Sequence, residues 1–309
     1  MHGTSASPQR LNAAQRSAHI REVVLAKGVE LRQRYPILKH QDALGAGILV
    51  FALAGMIGCA ALYITGHMAW WACLLLNAFF ASLTHELEHD LIHSMYFRKQ
   101  RVPHNLMMGL VWLARPSTIN PWIRRHLHLN HHKVSGSETD MEERAITNGE
   151  PWGLARLLMV GDNVMSAFIR MLRAKTWAHK FSIIKRSLKV YAPLALVHWG
   201  AWYVFLGFHA ANGIAHLLGA PIEWSATTLS VMNVIDIAAV VIIGPNVLRT
   251  FCLHFISSNM HYYGDVEEHN VMQQTQVWTA KWLKPFHALC FNFGETHAIH
   301  HFLVRDPFY

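Results

Sequence analysis

The chain has 309 residues, of which 52% are hydrophobic and only 15% charged, with a net charge of +8. A charged fraction this far below the usual quarter argues against an ordinary soluble domain. The positive balance does not call for nucleic acid as a partner, because the Lys and Arg residues flank apolar segments, as they do on the cytoplasmic side of membrane proteins.

Residues 1–42 carry Arg10, Arg16, Arg21, Lys27, Arg32, Arg34 and Lys39, with Ile20, Val23, Val24 and Leu31 among them. That mixture predicts an amphipathic helix on a membrane surface, a cytoplasmic lead-in to a main domain at 43–309. No short apolar core precedes it, so a secretory signal peptide is not expected. Residues from about 43 to 65 form the first stretch long enough to span a bilayer. Gly66-His67 predicts a turn, and a second span from about 68 to 88 runs into His85-Glu86-Leu87-Glu88-His89-Asp90-Leu91-Ile92-His93. Residues 104–115 are apolar but too short to span, which suits an interfacial piece. Pro116, Pro121 and the polar stretch to Glu150 predict loops and short helices. Residues 154–189 mix apolar and basic side chains, the pattern of helices lying on a membrane surface.

Spans from about 190 to 208 and 225 to 244 predict a second hairpin joined by residues 209–224. Neither hairpin connection contains a Lys or Arg; all of them lie in the N-terminal segment, in residues 94–190 and after Pro245. The positive-inside rule then predicts an all-α, multi-pass integral membrane protein. Four transmembrane helices form two hairpins, and both termini and a helical cap lie in the cytoplasm of a bacterial inner membrane or an ER membrane.

The chain holds 23 histidines, and their spacing is informative. His85, His89 and His93 recur at every fourth position and drift slowly around one helix face. His128-Leu129-Asn130-His131-His132 and His297-Ala298-Ile299-His300-His301 share the form HxxHH, which is expected to aim three imidazoles at one point. Neutral imidazole suits iron, zinc and copper, so the three boxes together predict a polynuclear metal site. His261, at the polar end of the segment after the last span, is a further ligand candidate. His254 reads as a satisfied helix residue, and His126 points elsewhere on its helix. His67, His198, His209 and His216 lie away from the boxes and read as hydrogen-bonded helix or loop residues, with no partner evident in the sequence. Asp140, Glu142 and Glu143 follow the second box, where carboxylates either orient ligating imidazoles or form a solvated acidic loop. The four cysteines make no CxxC pair and read as packing residues.

The three boxes in this order, with Asn292-Phe293-Gly294 before the last and Asp306-Pro307-Phe308-Tyr309 after it, resemble the membrane fatty acid desaturase superfamily. That superfamily includes acyl-lipid and acyl-CoA desaturases, lipid hydroxylases and alkane monooxygenases. The resemblance implies a non-haem di-iron centre of two Fe that activates O2 against an unactivated C–H bond of a lipid or other long hydrocarbon. The implied ligands are His85 and His89, then His128, His131 and His132, then His297, His300 and His301, with His261 as the additional histidine. His93, Glu86 and Asp140 stand beside this set as further ligands or as groups that orient it. The chain departs from some relatives in its HxxxH first box, and in Ser257 where they carry an Asn; Asn259 is the nearer amide. It has no His-Pro-Gly-Gly segment of the cytochrome b5 kind and no iron–sulfur cysteine set. Electrons are therefore expected from a separate ferredoxin or cytochrome b5 type protein, docked on the basic cytoplasmic face.

Two other readings explain less. His85-Glu86-x-x-His89 is the pattern of zinc proteases, with Glu86 as general base, but it leaves both HxxHH boxes idle. A metal carrier would place its ligands near the bilayer midplane, whereas these lie at helix ends and in loops.

Overall fold

The computed structural model describes residues 11–309, so the first ten residues of the lead-in, including Arg10, lie outside the described residues. Among the described residues the regular structure is helical, with one isolated bridge between His261 and Thr275.

The lead-in is a helix, α1 (Ala13–Arg34). A capping box between Asn12 and Gln15 starts it, and none of its residues is buried. Next come α2 (Gln41–Ile64) and α3 (Trp70–Ile92), a hairpin turned at Gly66. Gly66 has φ +78°, a conformation glycine adopts without steric cost. Shorter helices follow: α4 (Arg101–Ala114), α5 (Pro121–Val134), α6 (Met141–Ile146), α7 (Leu154–Gly161), α8 (Asn163–Arg173) and α9 (Trp177–Tyr191). The second hairpin is α10 (Leu194–Leu217) and a continuous helix made of α11 (Ala226–Ala238), a π-turn (Ala239–Ile243) and α12 (Gly244–Met260). The chain closes with α13 (Val271–Gln274), α14 (Lys284–Ala288) and α15 (Phe293–Phe302).

Among the described residues, three helical stretches are long and apolar enough to cross a membrane: Gln41–Ile64, Leu194–Leu217 and Ala226–Met260. The second half of α3 is polar and fully buried, from Ala81 to Ile92, because it supplies side chains to the interior.

The second hairpin differs from its expected bounds. α10 runs to Leu217 rather than stopping near 208, and the connection shrinks accordingly. The polar residues that weaken the hydropathy there have partners: His209 Nε2 lies 2.8 Å from Asp236 Oδ1, and Trp224 Nε1 donates to Asn212 Oδ1 at 2.7 Å. His209 is therefore paired across the hairpin, which the sequence did not reveal. The last long helix likewise passes through Pro245 to Met260 instead of ending near 244. A proline within a helix frees the carbonyl four residues earlier. Here that carbonyl belongs to Val241, and Asn77 Nδ2 of α3 donates to it at 2.8 Å. The π-turn absorbs the remaining mismatch, and Asn246 Nδ2 bonds the carbonyls of Ile242 and Ala114 at 2.9 and 3.1 Å.

Two apolar clusters fix the inner ends of these helices. Leu49, Leu87, Leu91, Ile92, Met107 and Val111 join α2, α3 and α4. Leu253, Ile256, Met260, Leu283 and Phe293 join α12 to the C-terminal helices. α3 and α12 pack on each other, so the first box and His261 are delivered to one place.

Candidate metal centre

Nine histidines form two adjacent groups. His89, His93, His128, His132 and His300 make the first, and His131, His261, His297 and His301 the second. In the first, His93 Nε2 lies 3.0 Å from His128 Nε2, 3.3 Å from His132 Nε2 and 3.0 Å from His300 Nε2. In the second, His301 Nε2 lies 3.3 Å from His261 Nε2 and 3.2 Å from His297 Nε2. An imidazole binds a metal ion at about 2.0–2.1 Å, so neighbouring nitrogens on one ion stand about 3 Å apart. The observed separations match that edge length. The two groups touch: the His132 and His301 rings are 4.9 Å apart, and those of His89 and His297 5.3 Å.

Each HxxHH box contributes to both groups, in place of the single focus expected from the sequence. From the second box, His128 and His132 enter the first group and His131 the second. From the third box the division is reversed, with His297 and His301 in the second group and His300 in the first. Helical geometry explains this. Residues i and i+4 lie about 40° apart, while i+3 is about 100° from i+4. The i, i+4 pair can therefore share an ion, and the i+3 residue reaches the neighbouring one.

The protons on these rings are fixed by oxygen acceptors. His128 Nδ1 donates to Glu142 Oε2 at 2.8 Å, and His131 Nδ1 to Asp140 Oδ2 at 2.7 Å. His261 Nδ1 faces the Ser257 carbonyl at 3.1 Å, with Glu143 Oε2 at 3.4 Å. His301 Nδ1 donates to Gln274 Oε1 at 3.0 Å. With Nδ1 protonated, Nε2 carries a lone pair, and in each group several lone pairs aim at one another. A shared cation would bridge these lone pairs, and a metal ion suits the donor set. Burial pushes His128, His300 and His301 below the ordinary imidazole range, so these rings are neutral donors. Burial is also the largest influence on His131, but there the hydrogen bond and charge of Asp140, with Glu143 and Glu142, outweigh it and raise the ring to about 9.

The orienting carboxylates come from the start of α6. Asp140 caps that helix and accepts from the Glu143 N–H at 3.3 Å. Glu142 and Glu143 lie in its first turn, where acidic groups complement the helix dipole. All three are buried, so this is not a solvated loop. An ion-pair chain ties the assembly together. Glu88 is paired with Arg115 and, at 3.0 Å, with Arg124, whose Nε lies 3.0 Å from Glu142 Oε1. Arg115, Arg124, Glu88 and Gln274 were not singled out from the sequence. Their one legible signal was Arg124, which stands four residues before His128 on the same helix face.

Other candidates stand elsewhere. His85 is outside both groups: its Nδ1 faces Arg115 Nη1 at 3.2 Å, and its ring packs on Phe293. His93, ranked below it from the sequence, stands in the first group. The three histidines of α3 extend over about 12 Å of helix; the histidines of α5 and α15 meet the last two, while Phe293 at the start of α15 packs on His85. Glu86 is buried beside the site but pairs with no ring. Asn259 turns away, accepting from Arg156 Nη2 at 3.2 Å and donating to the Phe255 carbonyl at 2.6 Å. His254 faces the Val160 carbonyl, and His126 is exposed, both off the site as expected.

The motifs around the third box have local reasons. Asn292, with φ +61°, turns the chain into α15. Gly294 lies so close to His287 and Ile256 that a Cβ would sit 2.6 and 2.7 Å from them. In the tail, the Phe308 N–H donates to Asp90 Oδ2 at 3.3 Å, and Asp306 pairs with Arg32 of α1 at 2.6 Å.

A family profile described as "Fatty acid desaturase" matches residues 65–309. No curated protein and no solved structure gives a significant match.

Proposed function

The chain belongs to the fatty acid desaturase family, and from that premise we propose that it is a membrane-bound, non-haem di-iron oxidoreductase that desaturates a fatty acyl chain of a lipid. The observation that carries this reading is the convergence of nine imidazoles into two touching groups. His89, His93, His128, His132 and His300 hold one iron, and His131, His261, His297 and His301 the other. Bound iron supplies the activation of O2 against an unactivated C–H bond, with electrons from a separate donor. The protein's own part is positional. Asp140, Glu142, Glu143 and Gln274 fix which nitrogen of each ring faces the metal and raise its basicity. The Arg115–Glu88–Arg124–Glu142 chain holds α3, α5 and α6 in register, and burial keeps bulk water from the centre.

The proposed topology has α3 as a fourth span and both termini and the histidine boxes in the cytoplasm. The absence of Lys and Arg from both hairpin connections supports it. The basic cytoplasmic face would then receive an acidic ferredoxin or a cytochrome b5 type donor.

Metal analysis of the purified protein should find iron in a ratio of one per histidine group; a single zinc would overturn the assignment. Lipid mass spectrometry of cells with and without the protein then separates the outcomes. Loss of two hydrogens from an acyl chain supports desaturation. Gain of one oxygen assigns hydroxylation on the same scaffold. Unchanged lipids with iron-loaded, electron-supplied protein would sink both.

A further inference from the structure

A cavity of about 430 Å³ separates α1 from the metal centre. Its inner end is formed by His89 and His300 of the first group and His297 of the second. It therefore meets the centre where the two groups join. Its sides are mainly apolar: Ile299 on α15 and Leu303 just beyond it, and Val24 and Leu31 on α1. A long hydrocarbon loses little by leaving a membrane for such walls, and Lys27, Arg32 and Asp306, which also line the cavity, suit a polar head group on that chain.

α1 is the outer wall, and it lies before residue 65, where the family match begins. The helix has no buried residue, and its exposed Leu25 and Val29, which do not line the cavity, suit contact with a membrane surface. That places the mouth of the cavity beside the lipid from which a chain would come. α1 is held to the tail by the Arg32–Asp306 pair, and Gly28 makes room there: a Cβ would lie 2.9 Å from Arg32 Nη1 and 3.6 Å from Asp306 Oδ2.

We propose that this cavity is the binding site for the hydrocarbon chain of the lipid substrate, and that α1, through Val24 and Leu31, determines which chains reach the metal centre. The inference rests on the reading of the chain as a di-iron enzyme of lipids. It assigns chain selectivity to a segment outside the matched family domain.

Cysteine labelling tests occupancy without turnover. Cys59, Cys73, Cys252 and Cys290 are all buried, so a maleimide reads the Val24→Cys variant over a low background. Stearate added to the protein in nanodiscs should slow labelling at position 24 several-fold, while a Leu25→Cys control on the outward face labels at an unchanged rate. Equal rates with and without stearate at position 24 would overturn the proposal. Selectivity is read on iron-loaded Val24→Trp: the ratio of kcat/KM for long over short acyl chains should fall about tenfold, equivalent to about 1.4 kcal/mol, with iron content unchanged. A wild-type ratio in that variant would also overturn it, and the di-iron reading would survive. Absence of any lipid oxidation by the wild-type protein would instead remove the di-iron reading, and the labelling result would still decide whether a chain occupies the cavity.

Discussion

Glu142 Oε2 accepts a hydrogen bond from His128 Nδ1 at 2.8 Å while its other oxygen holds Arg124. One carboxylate thereby orients a ring of the first histidine group and anchors it to the buried ion-pair chain. Glu142→Ala should lower metal affinity by roughly 10–100-fold. Glu142→Gln keeps an acceptor oxygen and should lose less. Titration of the apo-protein with iron against a competing chelator measures both, and wild-type affinity in Glu142→Ala would show that the contact does not orient the ring.

His93 and His85 separate the two ways of completing the first box. His93→Ala should remove about half of the bound iron, because one group loses a central donor and the other keeps all of its own. His85→Ala should retain both ions, since His85 faces Arg115 rather than either group. Metal counts on the two purified variants decide the matter; the reverse order would return the box to His85 and His89.

Gly294→Ala should destabilise the protein by about 1–3 kcal/mol, the usual cost of forcing a methyl group into a packed site. The added Cβ would meet His287 and Ile256, displacing the start of α15 and with it the third box. A lower thermal midpoint in detergent, together with reduced iron content, is the expected result.

Asn77→Ala removes the donor that satisfies the Val241 carbonyl beside Pro245. The expected loss is about 1 kcal/mol, in line with interhelical hydrogen bonds in membranes. Unfolding in a mild detergent, followed by circular dichroism, should show a lower midpoint with the same helix content in the folded state.

Chelation should lower the thermal midpoint, because a ligand bound only to the folded state stabilises it by mass action. The midpoint of the apo-protein should climb as iron is restored. A midpoint that is independent of iron would contradict a metal held by converging lone pairs.

The second half of α3 shows what periodicity leaves open. Periodicity placed His85, His89 and His93 on one helix face, and the repeated HxxHH form pointed to histidine clusters able to hold metal. Neither says where along that face the partner helices dock. The same limit applies at Pro245, which marks a helix end in isolation; Asn77, a distant residue, supplies the donor that lets the helix continue to Met260.

Local spacing, composition and the placement of Lys and Arg were enough to identify a helical chain with membrane-length segments and three histidine boxes, because these depend on residues within a few turns of one another. Tertiary structure alone decided the division of each HxxHH box between two groups, the placing of His93 rather than His85 in the first group, and the contacts of Glu88, Arg115, Arg124 and Gln274. Those depend on the approach of α3, α5, α12 and α15, and a coordination shell a few ångströms across is set by that packing rather than by any one stretch of sequence.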